Sequence, residues 1–157
     1  MRHRTILVLA ASGVLAACAH ETPPSTAGMA WTLTHTDSEG AKLAYGLPQS
    51  DLVLLMLVCR PRSGQVQVSM TAPAGAGGAL EMASQGRRTR LQGRVTPGMS
   101  PEAVYVEATA GASEAALEGF ARTGDLVVSE GGRRAALPAR GAERAAVGRF
   151  LAACRAT

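Results

Sequence analysis

Apolar positions recur with a period of two along most of this chain. From residue 30 to 36, Trp31, Leu33 and His35 alternate with Thr32, Thr34 and Thr36. Successive side chains of a strand point to opposite faces, so this is the pattern of a half-exposed strand. Asp37, Ser38, Glu39 and Gly40 supply a turn into a second strand over 42–45. Residues 52–59 are an unbroken apolar run ending in Cys59, bounded by Ser50-Asp51 and by Arg60-Pro61. Its length fits a strand covered on both faces better than a helix. Val66, Val68 and Met70 alternate with Gln65, Gln67 and Ser69 in a further strand, and Thr71 to Gly78 reads as a flexible break. Strands follow over 79–84, 88–95 and 103–109, separated by Gly86-Arg87 and by Thr96-Pro97-Gly98.

The period then changes. Ser113 is placed to cap a helix running to Thr123, with Leu117 and Phe120 inward and Gly124 as its stop. Residues 125–129 and 133–137, joined through Glu130, Gly131 and Gly132, predict a hairpin. In the closing segment, 142–155, Val147, Phe150, Leu151 and Cys154 fall at i, i+3, i+4 and i+7 and form one helical stripe. Together these elements predict an α+β fold. A mainly antiparallel sheet folds into a sandwich or open barrel and is packed by one or two helices, including the C-terminal one.

The first 17 residues do not fit that scheme. Arg2, His3 and Arg4 precede an uncharged apolar run from Ile6 to Ala17. This run is shorter than the ~20 residues that span a bilayer, so it reads as a cleaved signal peptide. Leu15-Ala16-Ala17-Cys18 in that position resembles the lipobox of bacterial lipoproteins. The resemblance implies a diacylglyceryl group on the Cys18 thiol, cleavage just before Cys18, and permanent attachment to a membrane. The alternative is an ordinary secretory leader cut after Ala19. Ala19, where an Asp would hold such a protein back, resembles the outer-membrane sorting signal and implies the periplasmic face of that membrane. Residues 18–29, with Pro23, Pro24, Ser25 and Thr26, read as a lipidated tether, leaving a single globular domain over 30–157.

Composition constrains that domain. Its aromatics are Trp31, Tyr45, Tyr105, Phe120 and Phe150, so the core must come mostly from Leu, Val, Met and Ala. Net charge is +4, and loss of Arg2 and Arg4 leaves 14 basic against 12 acidic residues, a +2 bias too weak to argue for nucleic acid. With Cys18 given to lipid, Cys59 and Cys154 are an even pair in an oxidising compartment and are expected to form a disulfide; two buried free thiols are the alternative.

Candidate chemistry is sparse. His35 is the one histidine inside the domain, and a hydrolase would have to use it with Asp37 or Asp51. No second metal ligand or strained nucleophile turn accompanies it, so no metal, no cofactor and no enzyme is expected. Glu114 and Glu118, an i, i+4 pair, read as a solvated helix face, and the glycine clusters read as turns. Arg87, Arg88, Arg90 and Arg94 are the densest charge cluster. On one strand Arg88, Arg90 and Arg94 would share a face suited to phosphate or carboxylate partners such as lipid A, anionic headgroups or peptidoglycan peptides, or would simply be solvated.

The order Leu117, Phe120, Gly124, Leu126, Val128, Leu137, Pro138, Phe150, Cys154, answered by Cys59, resembles small alphaproteobacterial periplasmic proteins of uncertain role, the invasion-associated locus B type among them. The resemblance carries no functional residue across. The expected function is therefore a membrane-anchored envelope lipoprotein with a non-catalytic binding or accessory role toward an envelope protein or cell-wall component. A structural or stress-related lipoprotein without a small ligand is the second reading, and a hydrolase the third.

Overall fold

The computed structural model describes residues 25–36 and 40–155. The leader, Cys18 and most of the tether lie outside those residues, as does Asp37. Ten strands and two helices run β1 (Ala30–Thr36), β2 (Gly40–Gly46), β3 (Val53–Cys59), β4 (Gln65–Pro73), β5 (Ala79–Ser84), β6 (Arg87–Gln92), β7 (Arg94–Pro97), β8 (Ala103–Gly111), α1 (Ala115–Thr123), β9 (Val127–Glu130), β10 (Arg133–Ala136) and α2 (Ala142–Cys154). They form a six-stranded sheet in the order β1-β2-β3-β4-β8-β7 and a four-stranded sheet in the order β10-β9-β5-β6. Every pairing is antiparallel, and the sheets do not close into a barrel.

The period-two positions fill the space between these layers. Leu43, Leu55, Leu57, Val66, Val68 and Val106 from the large sheet are buried together with Leu80, Met82 and Val128 from the small one. Helix α1 lies against β5 and β6, α2 lies against β1 and β2, and the two helices touch. Trp31 joins these parts, its ring 5.1 Å from Tyr45 and 5.0 Å from Phe120, with Nε1 donating to the Leu137 carbonyl at 3.3 Å. A buried indole needs a partner for its N–H, and the end of the β9–β10 hairpin supplies it.

Four sequence expectations are corrected in detail. The strand expected over 88–95 divides at Gly93, where the chain leaves the small sheet for the large one. A Cβ there would sit 2.9 Å from the Glu107 carbonyl oxygen, so only glycine lets the crossing strand pass that close to β8. The break expected from Thr71 begins after Pro73, because β4 stays paired with β8 to Ala103. Ser113 is exposed and does not cap α1. The Ala116 N–H instead donates to the buried Thr89 hydroxyl at 3.3 Å, so β6 caps the helix that covers it. Glu114 and Glu118 are not a free solvated face either: Thr89 donates to Glu114 at 3.3 Å, and Arg87 pairs with Glu118 at 3.6 Å.

The expected disulfide is present. Cys59, at the end of β3, bonds to Cys154, in the last turn of α2, with Cα atoms 5.7 Å apart. The β3–β4 loop continues the attachment: the N–H groups of Arg62 and Gly64 donate to the carbonyls of Ala153 and Cys154, both at 2.8 Å. The last carbonyls of a helix have no partner within it, and here the loop next to the disulfide provides one. At the other end of α2, Glu143 accepts from the Trp31 N–H and from the Arg140 N–H, both at 3.1 Å.

Replacing Cys59 and Cys154 by Ala is expected to cost about 4–5 kcal/mol by the chain-entropy relation for a loop of 95 residues, read as a lower denaturant midpoint. Replacing Gly119 by Val is expected to cost about 1–3 kcal/mol by overpacking, since even a Cβ there lies 2.9 Å from the Ser84 side chain. An unchanged midpoint in either variant would contradict the corresponding contact.

Candidate functional site

The arginines predicted as one face are divided by the crossing at Gly93. Arg88 and Arg90 lie on β6 and point outward from the small sheet, whereas Arg94 lies on β7 in the large sheet, opposite Glu107, and pairs with it at 3.3 Å. The alternation of strand faces was read correctly, but the continuity of the strand was not.

A different third arginine joins the first two. The register runs Arg90–Glu81–Ser129–Arg134 straight across β6, β5, β9 and β10. The neighbouring row, Arg88–Ala83–Val127–Ala136, is otherwise apolar and short. On a pleated sheet such rows bring side chains to one face about 5 Å apart per strand. Arg90 Nε donates to Glu81 Oε2 at 2.8 Å, and Arg88 Nη1 stands 3.7 Å from Glu81 Oε1. The Arg90 hydrogen bond holds Glu81 below its ordinary carboxylate range; partial desolvation opposes this, and the positive charges of Arg88, Arg90 and Arg134 add to the lowering.

Two guanidinium groups thus share one carboxylate on an exposed face, and a third, Arg134, lies in the same cross-strand row beyond Ser129, so that three positive charges stand against one negative. Arg88 and Arg90 remain 64% and 78% exposed while paired, so their outer N–H groups can still reach a second anion. The face can bind an anionic group in the bidentate manner of guanidinium forks. Arg134 was not singled out from the sequence because its place depends on β9 pairing with β5, a contact between strands far apart in the chain.

The other sequence candidates are not brought together. His35 is exposed on edge strand β1, level with Cys59, whereas Asp51 precedes β3 at the opposite end of that hairpin. Six residues of strand, roughly 20 Å, separate the two levels. Among the described residues no group of three or more His, Cys, Asp or Glu side chains is placed to hold a metal ion. Likewise, no helix among them is long and apolar enough to cross a membrane.

A second concavity opens between the sheets beside the β9–β10 hairpin, with a volume of about 510 Å³. Its walls are mainly Leu54, Met70, Ala72, Pro73 and Ala135, and Arg133 and Arg134 border it. Sequence periodicity marked Leu54 and Met70 as apolar strand positions but read Ala72 and Pro73 as part of a flexible break, and nothing in that pattern indicated an open core end.

No family model, curated protein or solved structure matches the chain.

Because the folded-state pKa of Glu81 lies below its unfolded value of 4.5, its ionisation stabilises the fold above that pH. The contribution is lost as pH falls through the lower folded value. A Glu81→Gln variant is therefore expected to be less stable than the parent at pH 7 and to approach it in acid. Unfolding by denaturant at both pH values measures the gap, and a gap independent of pH would speak against the Arg90–Glu81 pair.

Proposed function

We propose that this chain is a lipid-anchored lipoprotein of the cell envelope, held through Cys18 at the periplasmic face of the outer membrane, with a non-catalytic binding role. Its docking surface is the outer face of the small sheet, where Arg88, Arg90 and Arg134 meet an anionic envelope component. The observation that supports this reading is that Arg88 and Arg90 share the single carboxylate of Glu81 while Arg134 stands in the same cross-strand row beyond Ser129. Exposed ion pairs add little stability, generally under about 1 kcal/mol, so placing three cations on a face with one anion is poorly accounted for as a fold-stabilising device. It suits an anion arriving from outside, where each guanidinium can present an unused edge.

The small residues of the same face, Ala83, Ser129 and Ala136, support the reading as well, since they leave the fork-shaped groups accessible to a flat partner surface. A membrane anchor complements such a surface by keeping the domain at high local concentration beside envelope components, which raises the occupancy of a weak electrostatic contact. Arg94, paired with Glu107 on the other sheet, contributes nothing to this face and serves as a control.

Crosslinking from the intact envelope, followed by recovery of the tagged chain, tests the docking surface. Changing Arg88, Arg90 and Arg134 together to Ser is expected to lower partner recovery about tenfold, the scale of losing one or two charge-assisted hydrogen bonds. Arg94→Ser is expected to leave recovery unchanged. Equal recovery from the triple variant and the parent would remove the arginine face from the proposal. The anchor is tested separately by intact mass: native protein is expected to begin at an acylated Cys18, and an unacylated mature chain would refute the lipoprotein reading.

A further inference from the structure

We propose that the cleft between the sheets binds a long-chain fatty acid, with its hydrocarbon between β3–β4 and β10 and its carboxylate at Arg133 and Arg134. The volume, about 510 Å³, lies within the ~300–1,000 Å³ usual for small-molecule sites. Leu54, Met70, Ala72, Pro73 and Ala135 present hydrocarbon to it. Two polar side chains of its wall already have partners: Thr71 Oγ1 donates to the Val53 carbonyl at 2.7 Å, and Glu130 accepts from the Gly77 N–H at 2.8 Å. An apolar occupant therefore leaves those hydrogen bonds intact while its own methylenes are removed from water. Leu52, at the lip, is 53% exposed, an apolar surface that a bound chain would cover.

The mouth decides the class of amphiphile. Arg133 and Arg134 are consecutive on edge strand β10, so they point to opposite faces yet both border the opening. Two guanidinium groups at the end of a hydrocarbon slot complement an anionic head. Glu130 faces the slot but is 4% exposed and engaged by the backbone, and Glu102, the other carboxylate at the rim, is exposed to water. The free acid is preferred over the chain's own lipid on Cys18, whose ester and thioether linkages carry no charge for the arginines to meet. This site goes beyond the docking face described above and shares only Arg134 with it.

Displacement of fluorescent cis-parinaric acid from the purified Cys18→Ser chain, which carries no lipid, tests the proposal. Palmitate is expected to displace the probe saturably at one site per chain. Hexadecanol and hexadecyltrimethylammonium are expected to bind at least about tenfold more weakly, for want of a charge-assisted hydrogen bond. Leu52→Glu, an exposed substitution that places a carboxylate at the lip, and Ala72→Phe, which fills the slot, should each weaken palmitate about tenfold. The Arg88→Ser/Arg90→Ser chain should bind palmitate as the parent does, which separates this site from the docking face. Three results would overturn the inference: no saturable binding, equal affinity for the cationic amphiphile, or loss in the Arg88/Arg90 variant with Leu52→Glu unaffected. Binding by the Cys18→Ser chain but not by the acylated chain would overturn it too, by making the protein's own lipid the occupant.

Discussion

The attachment of the C-terminal helix to the end of β3 is the constraint on which the rest of the domain depends. Cys154 is bonded to Cys59, and the adjoining loop donates two backbone N–H groups to the last carbonyls of the helix. A helix of only 13 residues is marginal on its own in water. Fixed at one end by a covalent bond and at the other by Glu143, it becomes the lid over β1 and β2. Val147, Phe150 and Leu151 can then be buried almost completely, and α1 is in turn confined between this helix and the small sheet.

A second set of contacts joins the two helices to the turn between them. Arg140 donates to the Gly124 and Ala139 carbonyls at 3.2 and 3.1 Å and pairs with Asp125 at 2.6 Å. Arg144 donates to the Arg122 carbonyl. These arginines satisfy the carbonyl end of α1, a role distinct from that of the arginines on the small sheet. Among the described residues, arginines are used in at least three ways: Arg140 and Arg144 at a helix end, Arg87 and Arg94 each matched with one glutamate, and Arg88 and Arg90 sharing Glu81. In the last, two cations share one anion.

The arginine face and the cleft between the sheets adjoin at the β9–β10 hairpin. Gly131 and Gly132, with φ of 56° and 84°, form the two-residue turn whose positive φ values suit a twisted antiparallel pair. That tight turn sets Arg133 directly opposite Glu130 and Arg134 opposite Ser129. Because β10 is an edge strand, Arg133 and Arg134 point to opposite faces of the sheet while both border the slot. A short hairpin thus turns neighbouring residues to two different faces.

Much of the local structure was legible in the chain. Alternation located β1 and β4, turn signals bounded β8, the apolar run located β3, and the 3.6-residue stripe located α2. The presence of two of the three cysteines, Cys59 and Cys154, within the domain and in apolar contexts identified the disulfide. These features are set by near neighbours in sequence, because strand and helix periods are written within one element. What only the tertiary structure decided is which strands lie side by side. Gly93 sends β7 to the other sheet and takes Arg94 from Arg88 and Arg90, while β9 pairs with β5 and brings Arg134 into their row. Thr89 replaces Ser113 as the partner of the α1 amides for the same reason. Such pairings depend on how close two backbones can approach and on which surfaces remain to be covered after the core has formed. Those quantities belong to the assembled molecule and have no period along the chain.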